Sequence, residues 1–490
     1  MKLNALLDAS LQSPDFDRFV IEGLTLDSRA VKPGFLFAAL PGVKVHGRDF
    51  AAKAVELGAV AVLSDQAIEG LGVPVLVAAD PAAELAAMAA RFYPRQPAHI
   101  VAVTGTNGKS STVEFLRQIW TAAGIDGASL GTLGVARGAS LETTGYTTPD
   151  AVALHRALDA LAGDGVTHLA MEASSHGLKQ RRMDGARLSI GAFTNLTQDH
   201  LDYHPDFEDY FASKQRLFTE RLAPGCAAVI NVDTVWGERM AEAARDRGLV
   251  VSTIGWRGTD LQIMEITPRP ASQDVVFTWQ GVEHHVDVPL VGEFQILNAL
   301  GAAAIALIEG IALETVLATL GQLGGVPGRL EKVGETEEGA PVLVDYAHTP
   351  DGLDKLLRAA RPHTRGRVIL VFGCGGDRDP TKRIKMGLIA AQQADHVIVT
   401  DDNPRSEDAG LIRAAILEGC PQAEDIADRH AAIRHGVAML KEGDCLLLAG
   451  KGHETGQTVA GVVHPFDDRE EGRTALAERQ AKINQEGAHA

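Results

Sequence analysis

Gly105-Thr106-Asn107-Gly108-Lys109-Ser110 gathers two glycines, a lysine and two hydroxyls within six residues. Such a set can cradle phosphate. Small residues let backbone N–H groups approach an anion, the lysine reaches the outer phosphates, and the serine hydroxyl sits on Mg²⁺. The loop is shorter than the standard phosphate-binding pattern, which has a glycine where Val103 stands. A plain tight turn would need neither Lys109 nor Ser110. Further along, Glu172 ends the run Thr167-His168-Leu169-Ala170-Met171. Groups at the C-terminal ends of strands face the ligand crevice of an open α/β sheet, so Glu172 stands where a Mg²⁺ ligand is needed. Its other reading is an acid capping the next helix. Asp199-His200-Leu201-Asp202-Tyr203-His204 is a dense polar cluster, able to bind a metal or to order a loop. Lys214 is an isolated base among Tyr210, Phe211, Leu217 and Phe218; on a plain surface helix it would be solvated.

Each group needs an element to hold it. The β-branched run 100–103 reads as a buried strand, and Phe115, Leu116 and Ile119 mark a helix that begins at Lys109. A strand, a glycine turn and a helix start together make an anion site, because the helix N-terminus adds partial positive charge. Strand and helix patterns alternate over 98–330, which predicts a mostly parallel sheet. Before it, residues 1–97 carry short strands with Gly/Pro turns, a small α/β domain, followed by a linker at Pro94–Pro97. Arg29, Lys44 and Arg48 there could meet an anion or be ordinary surface charge. After Pro327-Gly328-Arg329-Leu330-Glu331, a hinge, residues 331–490 alternate again. Strands are expected at 342–346, 368–372, 396–400 and 445–449, and loops of both charge signs follow them. Gly373-x-Gly375-Gly376 lacks the third glycine of a dinucleotide fingerprint, and the mixed charge suits a zwitterion better. The fold class is therefore α/β, with a central phosphate-loop sheet flanked by a small N-terminal α/β domain and a C-terminal Rossmann-like domain.

The 490 residues suffice for about three domains at roughly 150 residues each. A net charge of −18 disfavours nucleic acid as partner, since a phosphate backbone wants a basic footprint. Four scattered cysteines without C-x-x-C spacing fit buried thiols in a reducing compartment. Asp8 interrupts any secretory signal, and the apolar stretch 302–313 is broken by Glu309, so a cytoplasmic protein without membrane insertion is expected.

Five motifs in one order resemble the Mur ligases, the ATP-dependent amino-acid-adding enzymes of peptidoglycan precursor synthesis and so of cell-wall growth, shape and division. They are residues 104–110, Met171-Glu-Ala-Ser-Ser-His-Gly-Leu178, 194–204, 327–331 and Asp345-Tyr-Ala-His-Thr-Pro350. Within that family the chain is similar to the members that add the third residue of the stem peptide to UDP-N-acetylmuramoyl-L-alanyl-D-glutamate. The resemblance implies that Gly105, Thr106, Asn107, Gly108, Lys109, Ser110 and Ser111 hold ATP, with Asn298, Arg329 and Asp345 around the nucleotide. It implies Mg²⁺ on Ser110, Glu172 and His200, and on Lys214 as a carbamate; Lys109, Glu172, His200 and Lys214 become the catalytic set. Leu26, Ser28, Val43, Lys44 and Val45 would contact the uridine part. Thr147, Thr148, Ser174, Gln180 and Arg182 would contact the muramoyl-peptide part, with Tyr146 departing from the small polar residue expected there. Arg378, Asp402, Asn403, Pro404, Arg405, Gly450 and Glu454 would hold meso-diaminopimelate. An arginine fork binds a second carboxylate bidentately, and lysine has none to offer. The base for the incoming amine is not evident; His348 is a guess. Domain closure about Arg329 and a monomeric state are expected. The alternatives are a lysine-adding relative, a folylpolyglutamate synthetase-like ligase, and a nucleotide-binding switch without catalysis.

Overall fold

The strand His99–Thr104 is buried at every residue after His99, on both faces, as an apolar β-branched run in a covered parallel sheet must be. It is central to a sheet whose order runs Val250–Gly255, Ala227–Asn231, Ile190–Phe193, His99–Thr104, His168–Glu172, Gly127–Gly131, all parallel. The antiparallel strands Gly134–Arg137 and Ser140–Glu142 extend one edge. The chain leaves the central strand toward one side and returns at Ile190–Phe193 to build the other. The strand order therefore reverses beside His99–Thr104, and that reversal opens a crevice at the C-terminal strand ends. The computed structural model describes residues 1–42, 45–138, 140–142, 147–197 and 203–488.

Two compact units make up the chain, residues 1–260 with 301–311, and residues 261–300 with 312–490. The first unit also holds a four-stranded parallel sheet, Gly23–Thr25, Phe35–Ala39, Ala61–Ser64 and Val75–Val77, in sequence order. The expected linker at 94–97 is pinned: Arg95 pairs with Asp159 at 2.7 Å, and Gln96 hydrogen-bonds the backbone of Gly185 and Arg187. After the phosphate loop, the helix Lys109–Ala122 buries Phe115, Leu116, Ile119 and Trp120 completely. Each such side chain contributes roughly 1.5–3 kcal/mol, so the helix start is held rigidly at the strand end.

The second unit opens with the antiparallel meander Leu261–Pro268, Gln273–Trp279 and Val282–Val288. Its main sheet runs Glu331–Glu335, Pro341–Asp345, Cys445–Ala449, Val368–Phe372, His396–Val399, Glu424–Asp425, parallel except for the first strand. The last long strand in sequence thus inserts between the first two parallel ones and brings its following loop among theirs. Residues 327–331, read as a hinge, lie wholly in this unit, where Gly328 N–H donates to Glu331 and Leu330 N–H to Asp345. All four cysteines are free thiols. Among the described residues no helix is long and apolar enough to cross a membrane.

Candidate functional site

The turn after His99–Thr104 requires glycine twice. Gly105 and Gly108 both have positive φ, +154° and +86°, and a Cβ on Gly105 would run into Thr194 Oγ1. Gly108 precedes the helix Lys109–Ala122 and, having no side chain, offers it no side-chain cap. Thr106 and Asn107 donate their N–H groups to the backbone O and Oδ1 of Asn195, at 2.9 and 3.0 Å. Asn195 thus shapes the loop. Thr194 and Asn195 belong to one of the five motifs, yet the sequence assigned them no part in this loop, because they reach it from just past the strand Ile190–Phe193, about ninety residues downstream.

Two ammonium groups converge on this loop. Lys109 Nζ donates to the carbonyls of Gly105 and Thr106 at 2.9 and 2.8 Å, and Lys214 Nζ donates to the same Gly105 carbonyl at 2.8 Å. Lys214 is not a solvated helix lysine: it is 1% exposed and lies 4.4 Å from the centre of the Tyr210 ring. Tyr210 OH in turn meets Thr106 Oγ1 at 3.1 Å. Beside them, Ser110 Oγ donates to Glu172 Oε1 at 2.7 Å, and Thr132 N–H donates to the same oxygen at 2.8 Å. Glu172 is 1% exposed; Gly131 leaves it room, since a Cβ there would collide with the carboxylate. The cap of the next helix is Ser174, not Glu172, which leaves the carboxylate to the crevice. His200 lies outside the described residues, as do Asp199, Leu201 and Asp202. From that polar cluster, His204 is fully buried and bridges Asp209 and Ser175, at 2.6 and 3.1 Å.

Four of the residues expected at the muramoyl-peptide form one hydrogen-bonded set. Thr148 Oγ1 donates to the Glu172 carbonyl and accepts from Ser174 N–H; Arg182 spans the Thr148 carbonyl and Gln180 Oε1, at 2.7 Å each. Thr147 Oγ1 meets Thr132 Oγ1 at 2.9 Å. Tyr146 lies outside the described residues. In the N-terminal region a cavity of about 950 Å³ is lined by Leu26, Ser28 and Val45 among others, Phe37, Phe50 and Arg156 included. Arg29 lines it too, held by its own Asp27 at 2.8 Å. Val43 and Lys44 lie outside the described residues. Arg156 had no signal in the sequence; it reaches the cavity from the helix Ala151–Gly163.

In the second unit, Asn298, Arg329 and Asp345 are brought together through the backbone. Gln295 accepts from Asn298 Nδ2 and donates to the Arg329 carbonyl, while Asp345 accepts from Leu330 N–H and Ala347 N–H at 2.8 Å each. The Arg329 guanidinium stands over the Tyr346 ring at 5.3 Å. Next to Asp345, the loops after three strands share a charged network. Asn403 donates to Glu454 at 2.8 Å and accepts from Lys451 Nζ at 3.2 Å; Lys451 Nζ is 3.6 Å from Asp402. Lys451 is fully buried, and burial pulls its ammonium below the usual lysine range. Gly450 has φ +115°, and a Cβ there would press on Asp402 at 2.8 Å. Arg405 adopts φ +54° although it is not glycine, its Nη1 donating to the Gly376 carbonyl at 2.7 Å. Pro404 is buried beside it, Arg378 is exposed on the facing loop. His348 is exposed, its Nδ1 2.8 Å from its neighbour Tyr346's carbonyl. Beneath the network, Arg429 and Asp468 form a fully buried bidentate pair at 2.7 and 2.6 Å, and Arg429 also donates to the carbonyl of Ala449. Sequence reading missed Lys451, Arg429 and Asp468. Lys451 carried a signal, a lysine between two glycines at a strand end; the other two carried none.

The chain matches three family profiles: "Mur ligase family, catalytic domain" over residues 20–99, "Mur ligase middle domain" over 103–306, and "Mur ligase, glutamate ligase domain" over 328–452. It is 53% identical over 464 residues to the UDP-N-acetylmuramoyl-L-alanyl-D-glutamate--2,6-diaminopimelate ligase of Caulobacter vibrioides, covering 93% of this chain and 96% of that one. A solved structure carrying the same ligase name is 33% identical, with a TM-score of 0.74 over 98% of this chain and 99% of that one. The ADP complex of the MurF ligase of Thermotoga maritima shares the fold at 17% identity, TM-score 0.61, over 95% of this chain and 99% of that one.

Proposed function

The chain belongs to the Mur ligase family, and from that premise we propose that it is a ligase of MurE type, joining meso-2,6-diaminopimelate to UDP-N-acetylmuramoyl-L-alanyl-D-glutamate with ATP. The observation that carries the reading is the phosphate loop, with two ammonium groups on the Gly105 carbonyl beside the buried Ser110–Glu172 oxygen pair. We assign residues 105–111 to the nucleotide, together with Asn298, Arg329 and Asp345. Leu26, Ser28 and Val45 take the uridine part; Thr147, Thr148, Ser174, Gln180 and Arg182 take the muramoyl peptide. Asp402, Asn403, Arg405, Gly450 and Glu454, with Arg378 and Pro404, take diaminopimelate. The three domains are assigned as 1–97, 98–330 and 331–490.

Ser110 and Glu172 are oxygen donors 2.7 Å apart and buried, a set that fits a hard divalent cation such as Mg²⁺. When bound there, Mg²⁺ would supply neutralisation of phosphate charge. The chain's own residues do the rest. Lys109 swings from loop carbonyls to the outer phosphates as the substrate carboxylate attacks the γ-phosphate, giving an acyl phosphate and ADP; such a transfer asks mainly for positioning and electrostatics. The amine of diaminopimelate then attacks the acyl carbon and phosphate leaves. The Arg405 fork holds the distal carboxylate, and Glu454 and Asn403 the distal amine. Lys214, as an ammonium, opposes a cation; carbamylation adds CO₂ to its neutral amine, releases a proton and turns it into an oxygen ligand. We place the enzyme in the cytoplasm, acting on soluble nucleotide-linked substrate.

Release of ADP by the purified protein with the UDP-dipeptide and each candidate amino acid tests the reading. Turnover with diaminopimelate and little with lysine is expected. Equal turnover with both removes the specificity, and amino-acid-independent ATP use removes the ligase. Intact mass is expected to show the added carboxylate on Lys214 in bicarbonate.

A further inference from the structure

At the opposite end of the central strand from the phosphate loop, three side chains that the ligase reading does not use come together. His99 opens the strand His99–Thr104, His168 opens the neighbouring strand, and the two are paired in register. Their rings stack at 4.4 Å. Glu309 lies one residue past the helix Glu293–Ile308. Nitrogen atoms of both imidazoles and a carboxylate oxygen lie within 4.8 Å of one another. We propose that His99, His168 and Glu309 form a binding site for a first-row divalent cation of the Zn²⁺ class, with a fourth position open to solvent beside the exposed His99.

The donor chemistry favours it. Two imidazoles and one carboxylate are the ligand set of three-ligand zinc sites, and they differ in kind from the all-oxygen set at Ser110 and Glu172. Ligand atoms around tetrahedral zinc lie about 3.3 Å apart, given bonds of about 2.0–2.1 Å, so small side-chain rotations close the site. The surroundings orient each ligand. Thr167 Oγ1 meets His168 Nδ1 at 2.9 Å, leaving Nε2 for the metal. Trp120 Nε1–H donates to Glu309 Oε2 at 2.8 Å, the kind of outer partner that fixes a ligating carboxylate. Glu309 Oε1 is then buried with no hydrogen-bond partner, a cost that a cation removes. The carboxylate also stands at a helix C-terminus, where the carbonyl ends repel negative charge. A cation bound here would tether the two strand starts to the chain after the helix, and would stabilise the folded state by mass action.

The test uses the full chain, stripped of metal and then held in saturating Mg²⁺ so that oxygen sites are filled. Zn²⁺ is titrated against a chromophoric chelator, and thermal unfolding is followed with and without Zn²⁺. One equivalent of Zn²⁺ is expected to bind and to raise the unfolding midpoint. His99→Gln alters an exposed side chain and Glu309→Gln keeps the acceptor for Trp120, so both variants fold. Each is expected to weaken Zn²⁺ binding at least about tenfold and to abolish the midpoint shift. His99→Gln should leave ligase turnover in Mg²⁺ unchanged. Co²⁺ in place of Zn²⁺ should give visible bands of four-coordinate geometry that Glu309→Gln removes. Failure of the wild type to bind an equivalent overturns the site. An equivalent that persists when both substitutions are combined overturns it as well.

Discussion

The phosphate loop and the loop cluster of the C-terminal sheet both gather charge at the ends of parallel strands, yet they are built from different material. Around Gly105–Ser110 the scaffold is backbone. Glycine carries the positive φ values, Asn195 holds two loop N–H groups, and a packed helix supplies the rest. Around Asp402–Arg405 the scaffold is charged side chains. Lys451, Arg429, Asp468, Asn403 and Glu454 are buried or half-buried, and non-glycine Arg405 and Asp377 take the left-handed conformation. A backbone cradle suits a phosphate, which every nucleotide shares. A side-chain network suits discrimination between amino acids that differ by one carboxylate, because an unpaired buried charge rejects the wrong one. The difference also predicts where damage shows: in turnover at the first region, in stability and selectivity at the second.

Substitutions can break or sharpen this contrast. The largest effect is expected from Asp468→Ala, which strands the fully buried Arg429 and should lower unfolding free energy by about 3–5 kcal/mol in urea. Replacing both partners by apolar residues should recover most of it. Lys109→Ala should leave folding nearly intact and cut ADP formation by about 10²–10³-fold, the cost of one lost charge-stabilising donor. Arg405→Ala should lower kcat/KM for diaminopimelate by about 10–150-fold, the worth of a charged hydrogen bond at about 1.5–3 kcal/mol, and leave lysine turnover unmoved. Arg405→Lys should restore little, since an ammonium is not a fork. The smallest effect concerns pH. His453 is pushed down to about 4, first by burial and then by Arg329 and Arg469. Between pH 4 and the ordinary histidine value near 6.5, the unfolded chain binds the extra proton, so stability falls as pH is lowered through that window. Stability of His453→Gln, measured by denaturant titration from pH 7 to 4, should fall less steeply than that of the wild type.

The phosphate loop was legible because its parts are contiguous: strand, glycine turn and helix start occupy sixteen residues. Glu172 was legible for a related reason, since an acid closing an apolar strand marks the crevice. The burial of Lys214 was not legible from its helix alone, because burial of a lysine depends on what packs over it, here Tyr210 and the loop carbonyl of Gly105. The pinned segment at 94–97 looked like a free linker because Asp159 and Gly185, which hold it, are far away in sequence.

By itself the sequence determined the α/β class, the glycine turn between strand and helix, the strand-end placement of Glu172 and the charged loops of the C-terminal sheet. Local chemistry fixes these: φ preferences, apolar periodicity and the reach of short motifs. Only the tertiary structure decided which charges are buried together, that Asn195 shapes the loop, that Arg429 meets Asp468 under the strand Cys445–Ala449, and that His99 and His168 share a register with Glu309 beside them. Those pairings depend on the order of strands in the sheet, and no spacing along a chain encodes the cost of burying a charge until its partner has been placed beside it.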